Sequence, residues 1–338
     1  GRLDEFLKAE ISFLARTGYS SIKIEQILEH RLPAHVANVI NRELPARFAD
    51  RIRQIENTTP QWRKIPGMRE AHEVLSTSFR NLRLVNYSED DLSEFSDMIV
   101  DLKKRHASIV ELFAQAASGL QQRGILQPPE IDQWLAKVMD SRIGTEMLTE
   151  HFLSLMKRSD KNHVGIVDTK CDPARICQQA IDHISSFSPP KIKITLATKQ
   201  PNIEFSFISM YLFYIIEELL KNSVSATLRQ TIKLGKEPEE VKITVCADSH
   251  RIGIKVSDKG GGVSFEDTDK VWMYMYSTTP DEIQSRFSDS SPLSGPGMGL
   301  SFCKLYTEYL GGSLHLMSMP GVGTDAYIFL NRIDAGSE

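Results

Sequence analysis

The sequence predicts a helical bundle followed by an α/β sandwich, with the change falling near residue 160. Three observations carry this expectation. Apolar residues recur every three or four positions through the first half. They alternate in short runs through the second half. Proline- and glycine-containing stretches fall between several of these segments, where helices should stop.

In the first half, the stretch 33–55 places Leu44, Phe48, Ile52 and Ile55 on one helical face. The stretch 91–120 continues the period through Leu92, Phe95, Ile99, Leu102, Val110 and Phe113 and reads as one helix, and 131–156 repeats it. These are amphipathic helices long enough to form a bundle. Breaks are expected at Thr58-Thr59-Pro60, at Pro66-Gly67 and at Gln127-Pro128-Pro129.

After Lys161 the period shortens. Residues 192–197, 203–207, 241–246 and 252–256 alternate as strands do, and 325–330 reads as a last strand. Helical patterns occupy 173–184, 209–230 and 301–310. Strands mixed with helices predict a sheet with helices on one face. We place the bundle at 1–160 and the α/β domain at 161–338. The polar, serine-rich stretch 281–294 is expected to be a mobile loop.

Composition narrows the function classes. The chain has 338 residues, 41% apolar and 25% charged, with a formal net charge of -4. That gives no basic surplus for nucleic acid. The four cysteines, Cys171, Cys177, Cys246 and Cys303, form no C-x-x-C pair, so free thiols are expected and neither a zinc site nor a disulfide framework. No apolar run approaches the roughly 18 residues of a membrane span; the best, 208–220, is broken by Glu217 and Glu218. The chain opens on Gly1-Arg2, so any targeting peptide is expected to have been removed.

The chemistry concentrates in four short motifs of the second half. Glu218 and Asn222 stand one turn apart late in an apolar helix, with Tyr214 one turn earlier. An amide oxygen suits a hard cation such as Mg²⁺, and a carboxylate beside it can accept a proton. Taken alone, such a pair is an ordinary solvated helix face. Asp258-Lys-Gly260-Gly-Gly262 ends the strand of Ile252, Ile254 and Val256, with Asp258 in the same phase. A carboxylate there can accept from an exocyclic amine, and glycines let backbone approach a flat ligand; alone it is a glycine turn. Gly295-Pro-Gly297-Met298-Gly299-Leu300 precedes a helix, an arrangement that offers backbone N–H groups to an anion. Gly321-Val-Gly323-Thr324 leads into the last strand.

In this order and spacing the four motifs resemble the nucleotide fold shared by gyrase, mismatch-repair ATPases, heat-shock chaperones and histidine kinases, the GHKL fold. The two commoner ATP signatures, G-x-x-x-x-G-K-[ST] and the H-R-D with D-F-G set, are absent. The wider sequence resembles the mitochondrial 2-oxoacid dehydrogenase kinases over nearly its whole length. In the first half the resemblance rests on Glu43-Leu-Pro-Ala-Arg47, Arg51-Ile52, Lys104-Arg-His106, Ser141-Arg-Ile-Gly144, Met147-Leu148 and His151. In the second it rests on Glu218 to Asn222, Ser257 to Gly262, Met275-Tyr-Ser277-Thr278 and Gly323-Thr-Asp-Ala-Tyr327.

The resemblance implies a kinase that moves the ATP γ-phosphate to a serine of the decarboxylase subunit of a 2-oxoacid dehydrogenase complex. It implies Glu218 as general base and Asn222 as Mg²⁺ ligand. It assigns nucleotide contacts to Asn222, Asp258, Gly260, Gly262, Ser277, Thr278, Gly295, Gly297, Met298, Gly299, Leu300 and Thr324. ATP, Mg²⁺ and K⁺ are the cofactors it brings. A homodimer, docking to the lipoyl domain of the acyltransferase subunit, and the mitochondrial matrix are further implications. The bundle would bind partners and regulators. Tyr214 stands where many pyruvate-specific members carry His, and the Asp-Trp tail of several such kinases has no counterpart in 331–338. The stretch 17–22 (Thr-Gly-Tyr-Ser-Ser-Ile) and the Tyr-Ser-Thr segment favour the pyruvate branch over the branched-chain branch. An ATPase in which Glu218 activates water, and an ATP-binding scaffold, stand as alternatives of another class. His106 is expected to hydrogen-bond structurally near the domain junction and not to act as a phosphoacceptor.

Overall fold

The computed structural model describes residues 1–19, 22–157, 161–187, 192–200, 202–277 and 297–332. The stretch 281–294, Thr278 and Gly295 lie outside the described residues. The chain forms two compact units, Gly1–Ile166 and Val167–Glu338.

The first unit is helical: α1 (Arg2–Thr17), α2 (Ile24–Glu29), α3 (Pro33–Thr58), α4 (Met68–Leu84), α5 (Ser93–Arg105), α6 (Ile109–Gln122) and α7 (Pro128–Met156), followed by a two-residue strand β1 (His163–Val164). Helix α3 packs on α1, α4 and α7, so it is the central member. Its buried stripe includes Val36, Ile40, Leu44, Phe48, Ile52 and Ile55. Each such side chain contributes on the order of 1.5–3 kcal/mol by leaving water. All three expected breaks are present. Helix α3 ends at Thr58, α7 starts on Pro128, and Gly67 caps α4. Gly67 has φ +79°, and a Cβ there would lie 2.2 Å from the Leu112 carbonyl oxygen, so only glycine fits this turn.

The stretch 91–120 is two helices and not one. The break falls at His106–Ser108, directly after Lys103, Lys104 and Arg105 in the last turn of α5. Three cations at a helix C-terminus complement its exposed carbonyls and stabilise an ending there. His106 caps α5 through its backbone N–H, which donates to the Leu102 carbonyl. Its Nε2 lies 2.9 Å from Ser78 Oγ, which also accepts from Arg105 Nη1 at 2.9 Å. The ring tilts on Phe48 with centroids 5.2 Å apart. His106 therefore ties α5 to α4 and α3 as a hydrogen-bonded structural residue.

The second unit holds β2 (Val167–Cys171), α8 (Pro173–Phe187), β3 (Ile194–Thr198), β4 (Phe205–Phe207), α9 (Ser209–Leu234), β5 (Val241–Ala247), β6 (Arg251–Ser257), α10 (Gly299–Tyr309), β7 (Ser313–Met319) and β8 (Gly323–Asn331). The main sheet has the order β3-β5-β6-β8-β7. β3 and β5 run parallel, and the remaining neighbours are antiparallel. Helices α8, α9 and α10 pack on this sheet and α9 touches both others. Ile243, Val245, Ile254, Val256, Ile328 and Leu330 face them and are buried. The opposite face carries the exposed Met317, Met319 and Phe329. The expected strand around 203–207 does not join this sheet; β4 pairs with β2 in a separate small sheet. All three of its residues are buried, so its side chains do not share one face with the main sheet.

Burial, with Arg105 and Arg142 adding, pushes the His106 pKa down to about 3. An unfolded histidine titrates near 6.5. Between these values the unfolded chain binds a proton that the native chain does not, so His106 costs stability as pH falls below about 6.5. His106→Gln is expected to flatten the acid limb of stability between about pH 6.5 and 4, by at most about 1.4 kcal/mol per pH unit, the limit for one proton. Urea unfolding across that range measures it, and an unchanged slope would mean that His106 titrates as in water.

Candidate active site

The 26 residues of α9 form the spine of the site. Most helices that cross a sheet are apolar on the buried face; α9 instead buries Glu217, Glu218, Lys221, Ser223, Ser225 and Thr227 beside its leucines and isoleucines. Buried polar groups must find partners, because an unpaired one costs several times what a hydrogen bond returns. The partners of these residues define the site.

At the sheet end of the helix, Ser223 Oγ donates to Asp258 Oδ2 at 3.0 Å. Asp258 follows β6 in the inward phase of Ile252, Ile254 and Val256, so its carboxylate faces α9 and is buried. Its Oδ1 accepts from the backbone N–H of Gly260 at 2.8 Å and of Thr324 at 3.3 Å. Burial raises the Asp258 pKa, and the bonds from Gly260, Ser223 and Thr324 oppose that rise. A carboxylate offers about four lone-pair positions. Three donors fill three of them, which leaves capacity for one further N–H. A Cβ on Gly260 would lie 2.5 Å from the Ala226 Cβ, and one on Gly262 would lie 2.2 Å from the Met319 carbonyl oxygen. The glycines thus bring the 258–262 backbone against α9 on one side and the β7–β8 turn on the other. Thr324 Oγ1 lies 2.9 Å from Ser318 Oγ, which accepts from the Val263 N–H.

Directly before Ser223, Asn222 is exposed, and one turn nearer the start of α9 Glu218 is buried. Lys221 Nζ donates to Glu218 Oε1 at 2.7 Å. Glu218 Oε2 points at the start of α10: a Cβ on Gly299 would lie 2.2 Å from it. Gly297, at φ +71°, turns the chain into this helix start against Met275. Met298 caps α10 and is fully buried; Leu300 is half-buried in the first turn. Ser277 is exposed. The segment before it is docked on α10: Ser301 Oγ donates to the Trp272 carbonyl, Lys304 Nζ sits 4.8 Å from the Trp272 ring centre, and Tyr274 meets Phe302 edge-on. Tyr214 is buried against Tyr306, with ring centres 5.5 Å apart.

The structure therefore brings Glu218, Asn222, Asp258, Gly260, Gly262, Gly297, Gly299 and Thr324 around α9. Sequence reasoning passed over Ser223, Lys221 and Glu217. The first two flank Asn222, and Lys221 follows Glu218 by three residues, a spacing that pairs side chains on a helix. No group of three or more His, Cys, Asp or Glu side chains that could hold a metal occurs among the described residues.

A helix presenting a carboxylate and an amide, a D-x-G-x-G turn and a glycine-led helix start on one sheet define a nucleotide-binding kinase or ATPase domain. Residues 207–333 match the family described as histidine kinase-, DNA gyrase B- and HSP90-like ATPase. Residues 13–168 match the family described as mitochondrial branched-chain alpha-ketoacid dehydrogenase kinase. The chain is 29% identical to mitochondrial pyruvate dehydrogenase (acetyl-transferring) kinase isozyme 4 of Rhinolophus ferrumequinum, over 97% of this chain and 85% of that protein. It is equally similar to the pyruvate dehydrogenase kinases of Ascaris suum, over 93% and 83%, and of Arabidopsis thaliana, over 89% and 86%. By these matches the chain is similar, in both of its halves, to the GHKL-type kinases that include these mitochondrial enzymes.

A charged hydrogen bond contributes about 1.5–3 kcal/mol. Asp258→Ala is therefore expected to weaken ATP binding by roughly 10- to 150-fold, read by titration calorimetry. An unchanged affinity would remove Asp258 from the nucleotide site.

Proposed function

We propose that this chain is a mitochondrial protein-serine kinase that transfers the ATP γ-phosphate to the decarboxylase subunit of the pyruvate dehydrogenase complex and thereby inactivates it. The observation that carries the chemistry is the single helix α9, which sets the Glu218 carboxylate against the start of α10 and the Asp258 acceptor against the sheet end. Adenine binds at Asp258, where one acceptor position remains for its exocyclic amine. The backbone of Gly260, Gly262 and Thr324 surrounds the base. The N–H groups at Gly297, Met298, Gly299 and Leu300 meet the phosphates, as a helix start suits anions; Ser277, Thr278 and Gly295 are nucleotide contacts by the resemblance alone. Glu218 then stands beside the phosphate to take the proton of the incoming serine hydroxyl.

Mg²⁺ fits this site as an ion held by one protein oxygen. Asn222 exposes its amide on the Glu218 side of α9, and Mg²⁺ accepts one or two protein ligands with phosphate oxygens and water for the rest. Bound there, Mg²⁺ neutralises phosphate charge. K⁺ is carried by the resemblance alone. The exposed Met317, Met319 and Phe329 of the outer sheet face support a second copy of the chain as partner. In the helical unit a pocket lined by Ile22, Ile27, Val36 and Leu148, with His30 and Arg42, supports docking of a lipoyl group. No described helix is long and apolar enough to cross a membrane, and the matrix is the compartment of the substrate complex.

The branched-chain 2-oxoacid dehydrogenase complex is the second reading, favoured by the match of residues 13–168. The test offers both complexes with γ-labelled ATP. Label is expected on a serine of the pyruvate decarboxylase subunit; label on the branched-chain subunit alone would transfer the assignment. Inorganic phosphate without protein label would make the chain an ATPase, and ATP binding without turnover a scaffold. Glu218→Gln is expected to keep ATP affinity and lose transfer by at least about 10²-fold; undiminished turnover would rule it out as the base.

A further inference from the structure

Glu218 is one end of a buried chain of charges that the proposed reaction does not by itself explain. Lys221 Nζ lies 2.7 Å from Glu218 Oε1 and 3.7 Å from Glu217 Oε2. Glu217 Oε1 lies 2.7 Å from Nδ1 of His183 on α8. Glu217 is 1% exposed, while Glu218 and Lys221 are each 8% exposed. A second carboxylate in such a place is costly unless charged or polar groups stand near it, and Glu217 has Lys221 beside one oxygen and His183 beside the other.

Helix geometry explains the arrangement. With about 100° per residue, Lys221 emerges roughly 40° from Glu217 and 60° from Glu218, between the two carboxylates and one turn on. Glu217 faces α8 and Glu218 faces α10. A lysine ammonium on its own is a compact charge on a flexible four-carbon stem. Drawn from one side by the charge of Glu217, which lies against His183 in turn, it has a preferred position. From there it occupies Oε1 of Glu218. The other oxygen, Oε2, is the one turned toward Gly299, where a Cβ would lie 2.2 Å away.

We propose that Lys221, braced by Glu217 and His183, is a positioning residue that ties up Oε1 of Glu218 and presents Oε2 to the acceptor hydroxyl. This rests on the reading of Glu218 as the base. The role is orientation: a carboxylate free to rotate about its last bond would spend much of its time with neither lone pair aimed at the incoming proton, and small errors in such geometry are costly.

The test is a double-mutant cycle on the full chain with Lys221→Met, Lys221→Arg, Glu217→Gln and the pair Glu217→Gln/Lys221→Met. Transferred label, released phosphate, ATP affinity and melting temperature are all measured. Lys221→Met is expected to lower kcat by about 30- to 100-fold, with ATP affinity held within about threefold. Lys221→Arg should recover most of that loss. Glu217→Gln should cost about 5- to 10-fold in the wild-type background and nothing further beside Lys221→Met, since the two act as a unit. The paired variant leaves no orphan charge between the two positions and guards against misfolding. The proposal is overturned if Lys221→Met keeps kcat within about twofold, if the two losses multiply independently, or if kcat, ATP affinity and melting temperature fall together without rescue by arginine. Wild-type chain that releases phosphate without labelling protein overturns the kinase reading alone, and the cycle is then read on hydrolysis. Wild-type chain that does neither overturns both.

Discussion

The second unit is organised by the need to bury α9. A 26-residue helix lying across a sheet gains stability from its leucines and isoleucines, yet it brings two carboxylates, an ammonium and five hydroxyl side chains into the same interior. Each must be met by a neighbour. Ser223 is met by Asp258, Lys221 by Glu217 and Glu218, and Glu217 by His183. Beyond α9 itself, these partners come from the end of β6 and from α8, so the polar content of one helix dictates where other elements carry polar atoms. The nucleotide-facing surface is the part of this polar seam that remains open.

The seam also explains the glycines. Asp258 reaches Ser223 only if the backbone after it runs close to α9, and a side chain at 260 would collide with Ala226. Glu218 reaches the helix start of α10 only if residue 299 has no Cβ. In both places the close approach is between backbone and a buried carboxylate or the helix it faces. That differs from a glycine used for an ordinary turn, such as Gly67, where the constraint is packing inside the bundle.

The legible parts of the sequence were those with a strong period. Helix α3, its end at Thr58, the proline start of α7 and strands β5 and β6 follow directly from spacing. The phase argument that placed Asp258 with Ile252, Ile254 and Val256 was enough to aim its carboxylate at the helices. Elements without a clean period were missed. Strand β2 has only Val167 and Cys171 as buried apolar residues, with Asp168 between them. Strand β7 sets Leu314 inward against Met317 and Met319 outward, so both its faces look apolar in sequence. The break between α5 and α6 was hidden because the apolar period resumes in phase after His106, although the three cations before it mark a helix end. At the site, the motif residues were legible singly, but the charge chain was not. His183 lies 34 residues before Glu217, and nothing in local spacing joins them; only the packing of α8 on α9 does.

The proposed kinase reading and the charge chain constrain one another. A base that activates water needs only a lone pair near a mobile molecule that can adjust its own position. A base that serves a protein hydroxyl must meet an acceptor whose approach is fixed by a docked partner, so its own orientation matters more. Glu218 has one oxygen held by Lys221 and the other directed at the backbone of Gly299. That arrangement spends the burial of a second carboxylate to remove a rotation. It serves either acceptor, but it matters more to a site whose acceptor arrives on a macromolecule than to one that activates water. The geometry of Glu218 thus adds an argument for a protein acceptor that does not draw on the sequence comparison.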